Sequence, residues 1–180
     1  QSQLEAHQDN LNRKVLYKDD DISKDISGIN LFEIEHEGCS QSSEEEQFLI
    51  KEKIVEILDK GLICQNDLIR PVKHSDIIVL APYNSQVNGL SEILSSDIKV
   101  GTVDKFQGQE APICIISMTS SSVEEAPRGI NFLLNSNRMN VAISRAQSSV
   151  FIYASKKLFF AEAKTTKQMK EEEGEDFEYV

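Results

Sequence analysis

This 180-residue chain has few cysteines and no pair of them at metal-ligand spacing. Cys39, Cys64 and Cys114 are far apart, so a zinc or iron–sulfur centre is not expected, and three cysteines cannot all pair within one chain. Such usage is typical of reduced thiols in a cytosolic protein, and we expect a cytoplasmic location. The three histidines also show no ligand spacing, so the sequence predicts no metal site in this chain.

Long apolar runs are also missing from the chain. No run approaches the roughly 20 residues that a membrane-spanning helix needs, so we expect no membrane insertion. The chain opens with Gln1-Ser2-Gln3, without a methionine or a signal-peptide pattern. That start is typical of a cut inside a longer protein.

Two motifs of nucleotide-hydrolysing enzymes are missing as well. The chain contains no G-x-x-x-x-G-K-[ST] loop, whose backbone amides would hold phosphates. The dipeptide Asp-Glu, the usual acidic metal-holding motif, never occurs. We therefore expect that the isolated chain neither binds a magnesium nucleotide by itself nor hydrolyses ATP.

Negative charge dominates the composition but is unevenly distributed. The formal net charge is −11, which argues against a free-standing nucleic-acid binder. Residues 97–157 hold seven Lys/Arg and five Asp/Glu, whereas the rest of the chain holds twelve and twenty-five. The segment 97–157 is therefore the part that repels a polyanion least.

The hydrophobic content of 39% is sufficient for a core, and the length suits one domain. We predict a loose N-terminal arm over residues 1–28 with a short helix near Leu4 to Leu16, a folded domain over 29–170, and a solvated acidic tail over 171–180.

Apolar strand patterns alternate with helical patterns along the predicted domain. This alternation predicts an α/β fold of three layers, in which helices flank both faces of a parallel sheet. The predicted strands are 29–35, 76–81, 98–102, 112–118 and 149–154. The predicted helices are a segment that Ser42 or Ser43 caps and Gly61 ends, then 83–94, 135–146 with Val141 facing the core, and 156–169.

Three polar segments are predicted at the carboxyl ends of the strands, where ligands collect in open parallel sheets. In the first, Tyr83 and Gln86 fall on the first turn of a helix, near its positive dipole end. They are candidates for contact with a phosphate or a neighbouring domain. A plain strand–helix turn with Pro82 as a start signal is the alternative.

The second segment runs from Thr102 to Glu110. The Thr102 hydroxyl and nearby amides can bind a backbone phosphate, and Gly108 allows close approach of the main chain to a ligand. The Glu110 carboxylate can accept a hydrogen bond from a ribose hydroxyl or orient a water molecule. The alternative is an ordinary glycine-containing loop, but so many polar groups between two apolar strands favour a functional loop.

The third segment spans residues 137–146. Arg138, Val141 and Arg145 are spaced i, i+3 and i+7, which predicts that both guanidinium groups share one helical face. A guanidinium held in this way can be an arginine finger that stabilises charge on a transferred phosphoryl group. Two arginines on a solvated helix face are the alternative.

Together these segments resemble the second RecA-like motor domain of superfamily 1 helicases, in the 5′→3′ subclass that includes the nonsense-mediated-decay helicase and nuclease–helicase fusions. Residues 81–86 look like motif IV, 100–110 like motif V and 140–146 like motif VI. The resemblance extends from 29 to 158. Residues 35–45 and the loop 126–129 look most like bacterial nuclease–helicase fusions that act on DNA.

The resemblance implies a role for each candidate residue. A first motor domain, outside this chain, would hold ATP and Mg²⁺. Arg145 would be the finger, with Gly108 and Glu110 also at the nucleotide. Thr102 would grip single-strand phosphates, and the remaining candidates for the nucleic-acid side are Asp104, Lys105, Gln107, Tyr83 and Gln86. The Gln/Ser-Tyr-Arg-Met motif that usually precedes such a domain is not found.

The sequence therefore predicts the C-terminal motor half of an ATP-dependent helicase acting on single-stranded DNA or RNA. A catalytically inert module that binds nucleic acid or a partner is the first alternative. A nuclease is the second, but its paired metal-binding carboxylates near a lysine are not evident, because the acidic residues cluster in the arm, one helix and the tail.

Overall fold

The structure is a computed structural model that describes residues 13–18, 24–66, 68–106, 108–129 and 136–158, without the side chain of Ser136. Gln107, the acidic tail, most of the last predicted helix and the start of the predicted arm lie outside these ranges. The described elements are, in chain order, β1 (Arg13–Tyr17), β2 (Lys24–Asp25), β3 (Gly28–Ile34), α1 (Glu44–Lys60), β4 (Gly61–Gln65), β5 (Leu68–Pro71), β6 (Ile77–Leu80), α2 (Asn84–Ile93), β7 (Lys99–Gly101), β8 (Ala111–Ser117), α3 (Ser136–Ile143) and β9 (Ala146–Ser155).

The main sheet has five parallel strands in the order β3-β9-β8-β6-β7. All four residues of β6 are buried and most of β8 is too, as their continuous apolar runs predict for strands covered on both faces. Helices α1 and α2 pack on one face, and α3 and a short 3-10 turn, Val103–Phe106, pack on the other. The predicted three-layer α/β fold is confirmed.

Helix α1 begins where the sequence predicts, with Ser43 as its cap, but only one of the two hydrogen bonds of a capping box is present. The Ser43 hydroxyl accepts a hydrogen bond from the Glu46 amide at 3.2 Å, which is the expected half of a capping box. The Glu46 side chain does not return the bond, since the Ser43 amide donates to the Gln86 side chain at 2.9 Å. Glu46 is thereby free to turn into the protein, where it is fully buried.

A second, antiparallel sheet with the strand order β2-β1-β4-β5 was not predicted. Residues 13–17, expected in a loose and partly helical arm, form β1 and pair with β4. Val15 is fully buried and Ile26 nearly so, because both pack into the same core as α1. The described part of the predicted arm is therefore integrated into the fold.

The two apolar cores lie on opposite faces of the main sheet. Ile50, Ile54 and Ile57 of α1 fill the first, and Ala142 of α3 lies in the second. Val141, predicted to face the core, is 38% exposed, whereas Ala142 is 2% exposed. Among the described helices, none combines the length and the apolar character that crossing a bilayer requires.

Candidate functional site

The predicted site residues lie at both edges of the main sheet, and not at one rim as the sequence suggested. Thr102 follows β7 at the carboxyl edge, and Glu110 precedes β8 at the amino edge. The chain must cross the sheet between them, because β7 and β8 point in the same direction. Helix α3 makes the same crossing before β9, so Arg138 and Arg145 also lie at opposite edges.

A cleft of about 430 Å³ opens at the carboxyl ends of β6, β7 and β8, and we call it the carboxyl-edge cleft. Its lining includes three residues predicted for nucleic-acid contact and two arginines from different segments. These five residues are Tyr83, Thr102, Asp104, Arg128 and Arg138. The cleft therefore combines hydroxyl, aromatic and cationic groups, which are the groups that proteins use on a nucleic-acid backbone.

The sequence predicts Arg138 and Arg145 on one helix face, whereas in the structure Arg138 lies apart from Arg145, at the carboxyl-edge cleft. Its Nη2 lies 3.6 Å from Oδ2 of Asp104, across the carboxyl-edge cleft. The side chains are 42% and 75% exposed, so solvent reaches both groups. Tyr83, in contrast, retains only 5% of its surface, so it forms a wall of the cleft.

Gln86 does not fit its predicted contact with nucleic acid, because its side chain is fully buried. Its Oε1 accepts hydrogen bonds from the Ser43 amide and the Gln47 side chain, both at 2.9 Å. Its Nε2 donates to the Ser117 hydroxyl at 3.0 Å. Gln86 therefore joins α2 to the start of α1 and to the end of β8.

Glu46 is the centre of a buried polar cluster that the sequence did not indicate. Its carboxylate accepts hydrogen bonds from the Ser117 hydroxyl and the Thr119 amide. His36 lies beside it, with 3.1 Å between Nε2 and Oε1, and the other ring nitrogen lies 2.7 Å from the Ser121 hydroxyl. The cluster fixes the turn after β8, which borders the carboxyl-edge cleft.

The second group of predicted residues forms the amino-edge cluster, which we define as Gly108, Glu110 and Arg145. The backbone carbonyl of Arg145 accepts a hydrogen bond from the Ala111 amide at 2.9 Å. The guanidinium Nη1 reaches the carbonyls of Phe106 and Gln109 at 3.4 Å. The cation thus lies directly beside the loop that carries Gly108 and Glu110.

Arg145 does not sit on the face of a helix, because α3 ends at Ile143. Its Nε donates to the Val141 carbonyl at 3.0 Å and its Nη2 to the Ser144 hydroxyl at 3.1 Å. All four acceptors that the structure gives this guanidinium are uncharged oxygens. Among the described residues, its positive charge is therefore held in place without a carboxylate partner.

The loop of the amino-edge cluster leaves room for a ligand. Gly108 has a φ of +78°, a left-handed conformation that favours glycine, and no atom of the described residues lies within 4 Å of where a Cβ would stand. The Glu110 carboxylate is exposed, and the Gln147 amide donates to it at 3.5 Å. Lys105 is held against β7, since its Nζ donates to the Val100 carbonyl at 3.3 Å.

Metal ligation has little support among the described residues. In those ranges, no three His, Cys, Asp or Glu side chains gather closely enough to hold a metal ion. The sites' chemistry, as described, includes two carboxylates, Asp104 and Glu110, and is otherwise that of three cationic arginines and hydrogen-bonding groups. Such groups recognise phosphate oxygens directly.

The sequence profile of the AAA domain family matches residues 1–157. This chain belongs to that family. An uncharacterised ATP-dependent helicase of Caenorhabditis elegans is 36% identical over 116 residues, which cover 64% of this AAA domain chain and 7% of the relative. The human RNA helicase Mov10l1 is 36% identical over 105 residues, 54% of this chain and 9% of its own.

A third relative is the DNA-binding protein SMUBP-2 of Rattus norvegicus, 32% identical over 132 residues. Those residues cover 71% of this AAA domain chain and 12% of the relative. The chain therefore spans a small part, 7 to 12%, of the length of these three relatives. Two of the three carry helicase in their names, so the chain is related to helicases.

Proposed function

We propose that this AAA domain is the C-terminal motor half of an ATP-dependent helicase of superfamily 1. One observation carries the proposal: the Arg145 guanidinium lies beside the open Gly108 loop, and its hydrogen-bond partners among the described residues are all uncharged. A cation placed this way suits phosphate charge that arrives from another domain. The names of its relatives support the helicase assignment.

The amino-edge cluster fits part of a nucleotide site but not a complete one. Arg145 supplies a cation, the space where a Cβ of Gly108 would stand is open among the described residues, and Glu110 offers a hydrogen-bond acceptor. The chain lacks a phosphate loop of its own, so a companion N-terminal domain would hold ATP and Mg²⁺. ATP supplies the phosphoanhydride bond whose hydrolysis releases energy, and Arg145 would stabilise the charge that develops on the transferred phosphoryl group.

The nucleic-acid side of the proposal rests on the carboxyl-edge cleft. Thr102 and the amides near it would hold phosphates of a single strand of DNA or RNA, and Tyr83 would form the wall of the path. Asp104 lies at the same cleft, whereas Lys105 lies against β7. The resemblance of the motifs favours the 5′→3′ subclass and, within it, the nuclease–helicase fusions.

The experiment is an Arg145→Ala substitution in the protein that contains both motor domains. An arginine finger contributes on the order of 10³–10⁵ in rate in related nucleoside triphosphatases, so ATP turnover should fall to background. Equilibrium binding of a fluorescent ATP analogue should change only modestly, because the companion domain holds the nucleotide. Lys24→Ala, which removes an exposed cation from the small sheet, is the matched control and should leave turnover unchanged.

Two results contradict the proposal in different ways. Turnover of Arg145→Ala close to that of the unchanged protein excludes the finger role. An unchanged two-domain protein that binds single strands but never hydrolyses ATP is instead the inert binding module.

A further inference from the structure

The ion pair between Asp104 and Arg138 is unusual in its location. It crosses the carboxyl-edge cleft, which otherwise offers cationic and hydrogen-bonding groups suited to phosphates. A carboxylate at such a place repels a polyanion. Attraction for nucleic acid therefore does not explain why the Asp104 carboxylate lies at this cleft.

We propose that Asp104 occupies, in the protein without nucleic acid, the position on Arg138 that a backbone phosphate takes when a single strand binds. The inference rests on the proposed nucleic-acid function of the cleft. A guanidinium binds carboxylate and phosphate oxygens with the same planar set of donors, so the two anions compete for it. Arg138 is then a phosphate-binding residue, and Asp104 is its exchangeable partner.

The geometry of the pair suits exchange. The 3.6 Å separation between Nη2 and Oδ2 is longer than a charge-assisted hydrogen bond, and both side chains are substantially exposed. Solvent-screened pairs of this kind are weak, so replacing the Asp104 carboxylate by a phosphate costs little. A bound phosphate also brings its negative charge close to Asp104, which pushes the carboxylate away from the cleft.

A purely structural role for the pair is the competing explanation. It would tie the turn Val103–Phe106 to α3. The turn is already joined to α3, because Phe106 packs in the same core as Ala142, and Arg145, just after α3, reaches the Phe106 carbonyl. The exposed pair is therefore a minor addition to that attachment.

The test measures binding of fluorescein-labelled single-stranded dT20 and U20, by anisotropy and without nucleotide, to the protein that contains both motor domains. Asp104→Asn should tighten binding by roughly fivefold, the size expected for removing one unit charge at contact distance in a solvent-like dielectric. Arg138→Gln should weaken binding and lower the slope of log affinity against log salt by about 0.7, the value for one phosphate contact on a single strand. In the Arg138→Gln background, Asp104→Asn should have a clearly smaller effect than in the unchanged protein.

Asp97→Asn is the matched control, because Asp97 is an exposed carboxylate near the amino edge of β7 and away from Arg138. If Asp97→Asn tightens binding as much as Asp104→Asn, the effect is one of net charge, and the inference is overturned. Weaker binding by Asp104→Asn, or full additivity with Arg138→Gln, overturns it as well. If neither the unchanged protein nor Asp104→Asn binds either oligonucleotide, both the proposed nucleic-acid function and this inference are overturned. If binding is normal but the two substitutions act independently, only this inference is overturned.

Discussion

The backbone amide of Thr119 donates to both oxygens of the Glu46 carboxylate, at 3.1 and 3.0 Å. Thr119 has a φ of +71°, in the left-handed region that a β-branched residue rarely adopts. Such a conformation costs about 1–3 kcal/mol and persists only when its surroundings hold it. The buried carboxylate therefore shapes the turn that leads from β8 along the carboxyl-edge cleft.

Removing that carboxylate should be strongly destabilising. Glu46→Ala leaves the Thr119 amide, the Ser117 hydroxyl and the His36 ring in the protein interior without their acceptor. We expect a loss of about 3–5 kcal/mol in the free energy of unfolding, the range for removing one partner of a buried charged group. Urea denaturation followed by circular dichroism measures the loss.

Glu44→Ala is the control for the Glu46 variant, because Glu44 is also acidic and lies in the first turn of α1 but is exposed. It loses only a favourable helix-dipole interaction of about 0.3–1 kcal/mol. Equal losses for the two variants would show that the buried cluster contributes nothing specific.

Asp76 makes stability depend on pH in the acid range. Burial alone would raise its pKa, but hydrogen bonds from Arg70 and the Lys73 amide outweigh burial and hold the pKa of Asp76 below its usual value. The two Arg70–Asp76 contacts measure 2.6 and 2.8 Å. Since the folded pKa lies below the unfolded value of about 3.9, this stabilisation is present above that pH and is lost as the pH falls through the folded pKa.

Asp76→Asn should therefore lower the urea midpoint at pH 7. The midpoint of this variant should also fall less than that of the unchanged chain as the pH drops below 5, because only the unchanged chain loses the ion pair there. The measurement is a series of urea transitions across that pH range. Asp97→Asn, which removes an exposed carboxylate, is the comparison. A midpoint that falls as steeply with acid in Asp76→Asn as in the unchanged chain would exclude Asp76 as the source.

Gly89→Ala should lower the stability of the folded protein, although alanine is favoured over glycine in helices by about 1 kcal/mol. A Cβ at Gly89 would lie 2.5 Å from Nε2 of Gln47. Gln47 cannot move freely, because it donates to Gln86 at 2.9 Å and to Ser42 at 3.0 Å. We expect Gly89→Ala to cost about 1–2 kcal/mol net, as the displaced amide loses buried hydrogen bonds.

Asn88→Ala is the matched variant for Gly89→Ala, since Asn88 is exposed on the same helix and gains helix propensity without a collision. Thermal unfolding of the pair provides the comparison. A rise in the melting temperature for both variants would mean that Gln47 yields at no cost.

Cys114 should be protected from thiol reagents in the folded chain. It is fully buried, and burial raises the pKa of its thiol to about 12, so the thiol is protonated at pH 8. Cys39 and Cys64 are half-buried. We expect dithionitrobenzoate to react with these two in the native chain and with Cys114 only after unfolding.

Cys114→Ser should leave the number of thiols that react in the native state unchanged, and mass spectrometry of labelled peptides identifies them. Reaction of all three thiols at one rate without denaturant would contradict the burial of Cys114.

The elements that the sequence predicted well are those whose pattern depends only on local residues. Local sequence alone is sufficient to predict the apolar strands β6 and β8 and the Ser43 cap of α1. The small sheet was missed because β1 and β4 are short strands of mixed polarity, and their pairing joins Arg13 to Gln65 across the sequence. Strand propensity of this kind depends on the partner strand.

For the candidate site, the sequence predicted the chemical groups better than their positions. Thr102 and Arg145 were identified by residue type and motif, but spacing along the chain does not say which edge of the sheet a residue reaches. The sequence predicts Gln86 as a ligand-contacting residue on the first turn of a helix, and it gives no sign that Glu46 is buried. Their burial depends on each other and on Ser117, which no single segment reveals.

Strand β9, the last described strand in chain order, lies between β3 and β8. On the ribosome, β3 therefore emerges long before the neighbour that pairs its Gly28 with Ser149. Until residue 155 is made, both β3 and β8 present open edges to other nascent chains. The sheet can close only after β9 has been made, so these edges stay open to aggregation for longer than in a sheet whose neighbouring strands follow one another in the chain.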